Sequence, residues 1–247
     1  MKKSLINNCF DIAINRMTGY GPGYSLEDCC TLYTDAFWKL QYEVYDELYG
    51  RELKVEKTVD YVEEIIACML GGFGFKAEIG WSAYLKLKNL GLIKRGVGYF
   101  PLEDALSQPL KVGNRWIQYR FPHQKAKYVY DFLRRDDIDS APIKNDLDFR
   151  SWLMTIKGIG PKTASWITRN YFRSDNVAVI DIHLYRAGIL TGFVSPQLNV
   201  QKDYFEIERC YLEYCHSLMV KPSVMDIVMW TNMKKTNKIA ISLIKNY

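Results

Sequence analysis

Two glycines one residue apart, closed by a proline, interrupt a stretch that is otherwise patterned as helix: Lys157-Gly158-Ile159-Gly160-Pro161-Lys162. Upstream, Phe149, Trp152, Leu153 and Ile156 recur at the spacing of one helix face, and that pattern stops at Gly158. Downstream, Pro161 suits the first position of a new helix running through Lys162, Ala164, Ser165, Trp166 and Ile167. The stretch is therefore restricted to a helix, a tight hairpin and a second helix. Gly158 and Gly160 read as positions whose backbone angles are closed to other residues. Lacking side chains, they also let a phosphodiester backbone come close, while the N–H groups that open the second helix bind a phosphate. Such a contact holds a nucleic acid without reading its sequence.

The rest of the chain repeats the helical period. Val59, Val62, Ile65, Ile66, Met69 and Leu70 form one stripe, and a second helix is expected from Ala77 to Leu90, with Trp81, Leu85 and Leu87 among its apolar residues. Gly71-Gly72-Phe73-Gly74 breaks the two apart. Further helices are expected at about 122–134, 147–157, 161–172, 182–190, 200–218 and 223–234, with an acidic, turn-rich surface linker over 136–148. Near the start, Gly19-Tyr20-Gly21-Pro22-Gly23 precedes an aromatic helix through Leu32, Phe37, Leu40, Tyr42 and Tyr45. The fold class expected is all-α. Residues 1–55 read as a helical extension packed on a core that occupies 56–247.

Charge is distributed unevenly. Residues 1–60 carry 7 Lys and Arg against 10 Asp and Glu, so the net charge of +5 leaves +8 for residues 61–247. Lys111, Arg115, Arg120, Lys125 and Lys127 precede the hairpin, and Lys157, Lys162, Arg169 and Arg173 surround it, as a face that tracks phosphates requires. An ordinary charged surface accounts for an excess of this size equally well without the hairpin.

Nineteen residues beyond Lys162 stands Asp181, in Val179-Ile180-Asp181-Ile182-His183, followed by the apolar pattern Ile182, Tyr185, Ala187 and Ile189. That arrangement reads as a helix N-cap. An amine and a carboxylate beside a phosphate-binding turn can together open a glycosidic bond. The amine is a nucleophile only when neutral, and both the positive end of a helix dipole and burial beneath a docked substrate disfavour its cation. A neutral Lys162 can attack the sugar C1′, expel a base and leave a Schiff base that permits strand cleavage. Asp181 would face the positive charge that develops on the sugar as the base departs. Taken singly, a lysine in a first helical turn is usually solvated and an aspartate at a helix start usually only caps. The conjunction with the hairpin is what carries the chemistry.

Ile156-Lys157-Gly158-Ile159-Gly160-Pro161-Lys162-Thr163-Ala164, followed by Val179-Ile180-Asp181-Ile182-His183, resembles the helix-hairpin-helix GPD superfamily of base-excision DNA glycosylases. Tyr119-Arg120-Phe121-Pro122-His123-Gln124-Lys125-Ala126-Lys127-Tyr128-Val129 is similar to the segment before the catalytic domain of the small 8-oxoguanine glycosylases, and with Met225-Asp226-Ile227-Val228-Met229-Trp230 the resemblance spans roughly residues 60–235. The spacing of Lys162 and Asp181 resembles the 8-oxoguanine branch more than the endonuclease III branch. The resemblance implies two helical subdomains with the active site in the cleft between them. It also implies a bifunctional glycosylase and AP lyase that excises an oxidised purine, 8-oxoguanine, from duplex DNA in base excision repair, with Lys162 as nucleophile and Asp181 as its electrostatic partner. Gly158, Gly160, Lys157, Arg120, Lys125 and Lys127 are the expected DNA contacts. Trp166, four residues beyond Lys162 on the same helical face, is either a wall of the base pocket or core. Trp230 and Met233 join it as pocket candidates through the resemblance of the last helices. Two other readings stay open: the same chemistry on a different modified purine, and a hairpin module that binds DNA without catalysis.

Cofactors are not expected. Cys9, Cys29, Cys30, Cys68, Cys210 and Cys215 lack paired metal-ligand spacing, and the four clustered cysteines of an endonuclease III iron–sulfur cluster are missing from the region after the hairpin. His123, His183 and His216 are too far apart in sequence to make a zinc site expected. The longest uncharged apolar run, 65–75, is too short to span a bilayer, and the basic start loses its apolar stretch to asparagines. A cytoplasmic, nucleoid-associated monomer is the expectation.

Overall fold

A computed structural model describes residues 26–49, 60–72 and 76–245. Gly19–Gly23 and the Phe73-Gly74 end of the glycine break lie outside the described residues. Among the described residues eleven α-helices dominate: α1 (Leu26–Cys30), α2 (Asp35–Tyr49), α3 (Tyr61–Leu70), α4 (Ala77–Asn89), α5 (Tyr99–Ser107), α6 (Pro122–Leu133), α7 (Asp146–Leu153), α8 (Pro161–Phe172), α9 (Ile182–Thr191), α10 (Tyr204–Ser217) and α11 (Pro222–Ile244). The all-α expectation holds, with one addition. Strands β1 (Leu110–Val112) and β2 (Arg115–Ile117) pair antiparallel, Leu110 opposite Ile117. Gly113 turns this hairpin at φ +58°, the left-handed geometry that two-residue links demand.

The chain divides into two compact units, one of residues 58–174 and one of residues 1–57 with 175–247. In the first, α3 buries Ile65, Ile66, Met69 and Leu70 against Phe132 of α6 and Phe149 and Leu153 of α7. Phe149 stacks on Trp152 at 5.6 Å and meets Phe172 edge-on at 5.4 Å, so aromatic packing joins the two helices of the 149–172 hairpin. Trp81 and Leu85, expected among the apolar residues of α4, stand 55% and 37% exposed, while Leu87 is fully buried. Ile138, inside the acidic linker, is buried within a short 3-10 turn, so that linker is anchored to the core.

In the second unit, α9, α10 and α11 enclose Leu184, Tyr211, Met225, Met229 and Met233. The described part of the N-terminal stretch packs here. Trp38 of α2 is fully buried and its indole donates to Thr191 Oγ1 at 2.9 Å, and the Lys39 ammonium donates to the Leu218 carbonyl at 3.0 Å. Helix α10 starts later than its apolar pattern indicates, because Asn199 Oδ1 accepts the N–H groups of Gln201 and Lys202 and forms a turn there. Helix α11 runs ten residues beyond the expected Lys234, and its apolar spacing continues through buried Ala240 to Ile244 on the core.

Candidate active site and nucleic-acid interface

Helix α7 gives way at Leu153 to tight turns in which the N–H of Ile156 reaches the Leu153 carbonyl and that of Ile159 reaches Ile156. Ile159, 5% exposed, sinks the hairpin tip into the core, while Lys157, Gly158 and Gly160 stay at the surface. Gly158 adopts φ +92°, and a Cβ there would sit 2.4 Å from the Tyr128 ring. The ring of α6 thus occupies the space that a side chain would need, and it brings the 119–129 segment against the hairpin. Gly160 differs from the expectation. Its φ of −97° is open to any residue, and nothing lies within 4 Å of its missing Cβ. What Gly160 contributes is open space beside the start of α8, where no side chain caps the helix and the first N–H groups have no helical partner.

These two glycines separate by experiment. Gly158→Ala combines a left-handed backbone with a clash and should cost about 3 kcal/mol of stability, read as a lower denaturation midpoint. Gly160→Ala should leave the midpoint nearly unchanged and weaken duplex binding, because its methyl group fills the space a phosphate would approach.

Lys162 is the second residue of α8, half-buried, and within its own unit it makes no hydrogen bond or ion pair. One turn on, Trp166 is half-buried, its ring edge 3.9 Å from where a Cβ on Gly71 would stand. Both readings of Trp166 therefore meet in one side chain: part of the ring packs on the core and part is accessible.

The basic residues fall into three situations. Lys157 and Arg120 are exposed, the Arg120 guanidinium lying 4.9 Å over the Phe121 ring. Lys127 is exposed but paired with Asp131 one turn along α6. Lys125 is turned inward. Its ammonium donates to the carbonyls of Met69 at 2.5 Å and Gly71 at 2.9 Å, and Tyr119 donates to Leu70 at 2.5 Å beside it. Burial pushes the Lys125 amine below the ordinary lysine range. Lys125 was expected on the DNA face; here it caps the C-terminus of α3, whose last carbonyls lack helical partners and carry the negative end of the helix dipole.

Asp181 belongs to the second unit. It is the N-cap of α9, as its pattern indicates, and its Oδ1 accepts the N–H groups of His183 at 2.8 Å and Leu184 at 2.9 Å. Within that unit Oδ2 takes no hydrogen bond, so one oxygen orients the group and the other is left for a partner. His183 is half-buried, and its Nδ1 is buried without a hydrogen-bond partner. Trp230 is 40% exposed, with the Lys234 ammonium 4.6 Å from its ring. Met233 is a correction to the expected pocket. It is 0% exposed inside the core of α11 and its neighbours, and has no surface to offer a base.

No described helix is long and apolar enough to cross a membrane. A helix-hairpin-helix whose second helix opens on an uncapped, glycine-flanked turn, with exposed cations nearby, defines a nucleic-acid-binding protein of the hairpin class. The family described as 8-oxoguanine DNA glycosylase matches residues 46–220, and the chain belongs to that family. It is 32% identical over 185 residues to an 8-oxoguanine DNA glycosylase/AP lyase of Metallosphaera sedula, a match covering 73% of this chain and 84% of the relative. It is 24% identical to the crystal structure of Methanocaldococcus jannaschii 8-oxoguanine DNA glycosylase, with a TM-score of 0.61 over 81% of this chain and 94% of that one. The structure of the Methanocaldococcus jannaschii 8-oxoguanine glycosylase/lyase in complex with a 15mer DNA containing 8-oxoguanine matches with a TM-score of 0.55 at 22% identity, over 94% of this chain and 98% of that one. The structural likenesses establish the fold, that of the helix-hairpin-helix glycosylases.

Proposed function

We infer that the protein is a bifunctional DNA glycosylase and AP lyase that removes 8-oxoguanine from duplex DNA during base excision repair. The observation that carries this is the site's composition within a family of that activity. Lys162 stands at an uncapped helix start without an ion pair in its unit, and Asp181 is held by one oxygen with the other left over. In the reaction, the Lys162 amine forms a bond to C1′ as the bond from C1′ to the base nitrogen breaks. The bonding pair leaves with the base, which takes up a proton. Asp181 stabilises the positive charge on the sugar at that moment. Opening of the sugar ring gives a protonated Schiff base, which acidifies the C2′ proton. Loss of that proton expels the 3′ phosphate and nicks the strand. Gly158, Gly160, Lys157, Arg120 and Lys127 form the backbone-binding face, while Trp166 and Trp230 are the aromatic surfaces on which an extruded base can stack.

The test is direct. The protein is incubated with a duplex carrying 8-oxoguanine and with one carrying an abasic site, and each is reduced with borohydride. A covalent adduct and strand cleavage on both support the reading. Adduct on the abasic duplex alone assigns the same chemistry to a different modified purine, and binding without adduct on either leaves a non-catalytic hairpin module.

A further inference from the structure

The chain enters Asp181 through a buried run that belongs to no helix or sheet. Ala178 and Ile180 are 0% and 1% exposed, so their backbone groups have neither water nor a ladder to satisfy them. Side chains of two later helices take that place. The Glu208 carboxylate of α10, 4% exposed, accepts the N–H of Ala178 at 2.9 Å. The Tyr204 hydroxyl, one turn earlier on the same helix, donates to the Ala178 carbonyl at 2.7 Å and accepts the N–H of Ile180 at 3.3 Å. Asp226 of α11 accepts the N–H of Val179 at 3.4 Å, the longest of these bonds. Three consecutive amides are thus fastened, and the next residue is Asp181.

Burying a glutamate so deeply is costly unless it is matched, and here it is matched by a backbone amide three residues before the N-cap. The capping bonds of Asp181 fix its side chain relative to α9. The bonds at Ala178 and Ile180 fix where the chain arrives at the cap. We propose that Glu208 and Tyr204 are positioning residues for base release: they hold the 178–180 run so that the Asp181 carboxylate stands where positive charge develops on the sugar. The proposal rests on the role of Asp181 given above. Neither residue meets the substrate, and the route of their action is the backbone.

Tyr204→Phe removes the hydroxyl and keeps the packed ring. Glu208→Ala removes the acceptor, and Glu208→Gln restores one, since an amide oxygen also accepts an N–H. Three quantities are measured for each full-length variant: single-turnover release of 8-oxoguanine, duplex affinity, and borohydride trapping on an abasic duplex, which needs Lys162 but no departing base. Because a displacement of about 1 Å can cost about 100-fold, Tyr204→Phe and Glu208→Ala should slow base release by about 10- to 100-fold, with trapping and affinity within about threefold of the parent. Glu208→Gln should recover most of the lost rate. Unchanged base release in Tyr204→Phe overturns the proposal. So does a parallel fall of release, trapping, affinity and denaturation midpoint in every variant, since that is the signature of a purely structural role. A parent protein that releases no base at all overturns the glycosylase reading and this proposal with it, whereas an active parent with unaffected variants overturns this proposal alone.

Discussion

Replacing Lys162 with glutamine is expected to reduce the borohydride-trapped adduct to background on both lesion-bearing and abasic duplexes, with the fold and duplex binding retained. The side chain is half-buried at the second position of α8 and has no hydrogen bond or ion pair in its unit. Its replacement therefore breaks no hydrogen bond or ion pair there. Glutamine keeps nearly the same length, and its helix propensity matches that of lysine. What disappears is the amine, and only an amine can form the reducible Schiff base. The loss of one cation near the phosphates should lower duplex affinity modestly and more at low salt than at high, as a single backbone contact does. Lys157→Gln, five residues earlier on the exposed hairpin, serves as the control: it removes a cation from the same face and should leave trapping intact. Trapping that persists in Lys162→Gln would remove this lysine from the reaction.

Why the hairpin could be read so closely from the sequence lies in its local physics. Proline at the start of α8 and glycine at positive φ before it are local demands, and the expected span 161–172 coincides with the observed helix. The N-cap role of Asp181 is equally local, since the N–H groups that its Oδ1 accepts lie two and three residues further along the chain. Where reasoning from the sequence fell short, the controlling contacts were distant in sequence. Lys125 is a surface lysine by every local sign, yet its ammonium meets carbonyls that precede it by 54 and 56 residues. Gly158 and Gly160 look alike in the sequence, and what distinguishes them is the positive φ of Gly158 and the Tyr128 ring packed against it. Met233 lies on a helix whose faces could not be ordered before α2 was known to pack against α11. The strands at 110–117 are three residues each, too short for an alternating pattern, and only Gly113-Asn114 marked the turn. Glu208 and Tyr204 gave no signal at all, because a buried glutamate on an amphipathic helix is indistinguishable in sequence from a solvated one.

Asp181→Asn makes the second large prediction, and it separates the capping role of this carboxylate from the electrostatic role proposed for it. As a helix cap, asparagine ranks with aspartate, and its Oδ1 can accept the same N–H groups from His183 and Leu184. Helix α9 should therefore keep its start, and the denaturation midpoint should barely move. As an electrostatic partner, a neutral amide has no charge to set against the cationic sugar. The removal of one such preorganised group costs about 10²- to 10³-fold in rate, so single-turnover base release should fall by that order while the duplex is still bound. Trapping on an abasic duplex should fall less, because the aldehyde at C1′ already exists there and no base has to leave. Asp181→Ala supplies the contrast: it should slow base release similarly and also lose about 1 kcal/mol of stability through the missing cap. Unchanged turnover in Asp181→Asn would confine Asp181 to capping, and equal losses in release and trapping would place its action at the Schiff base and not at base departure.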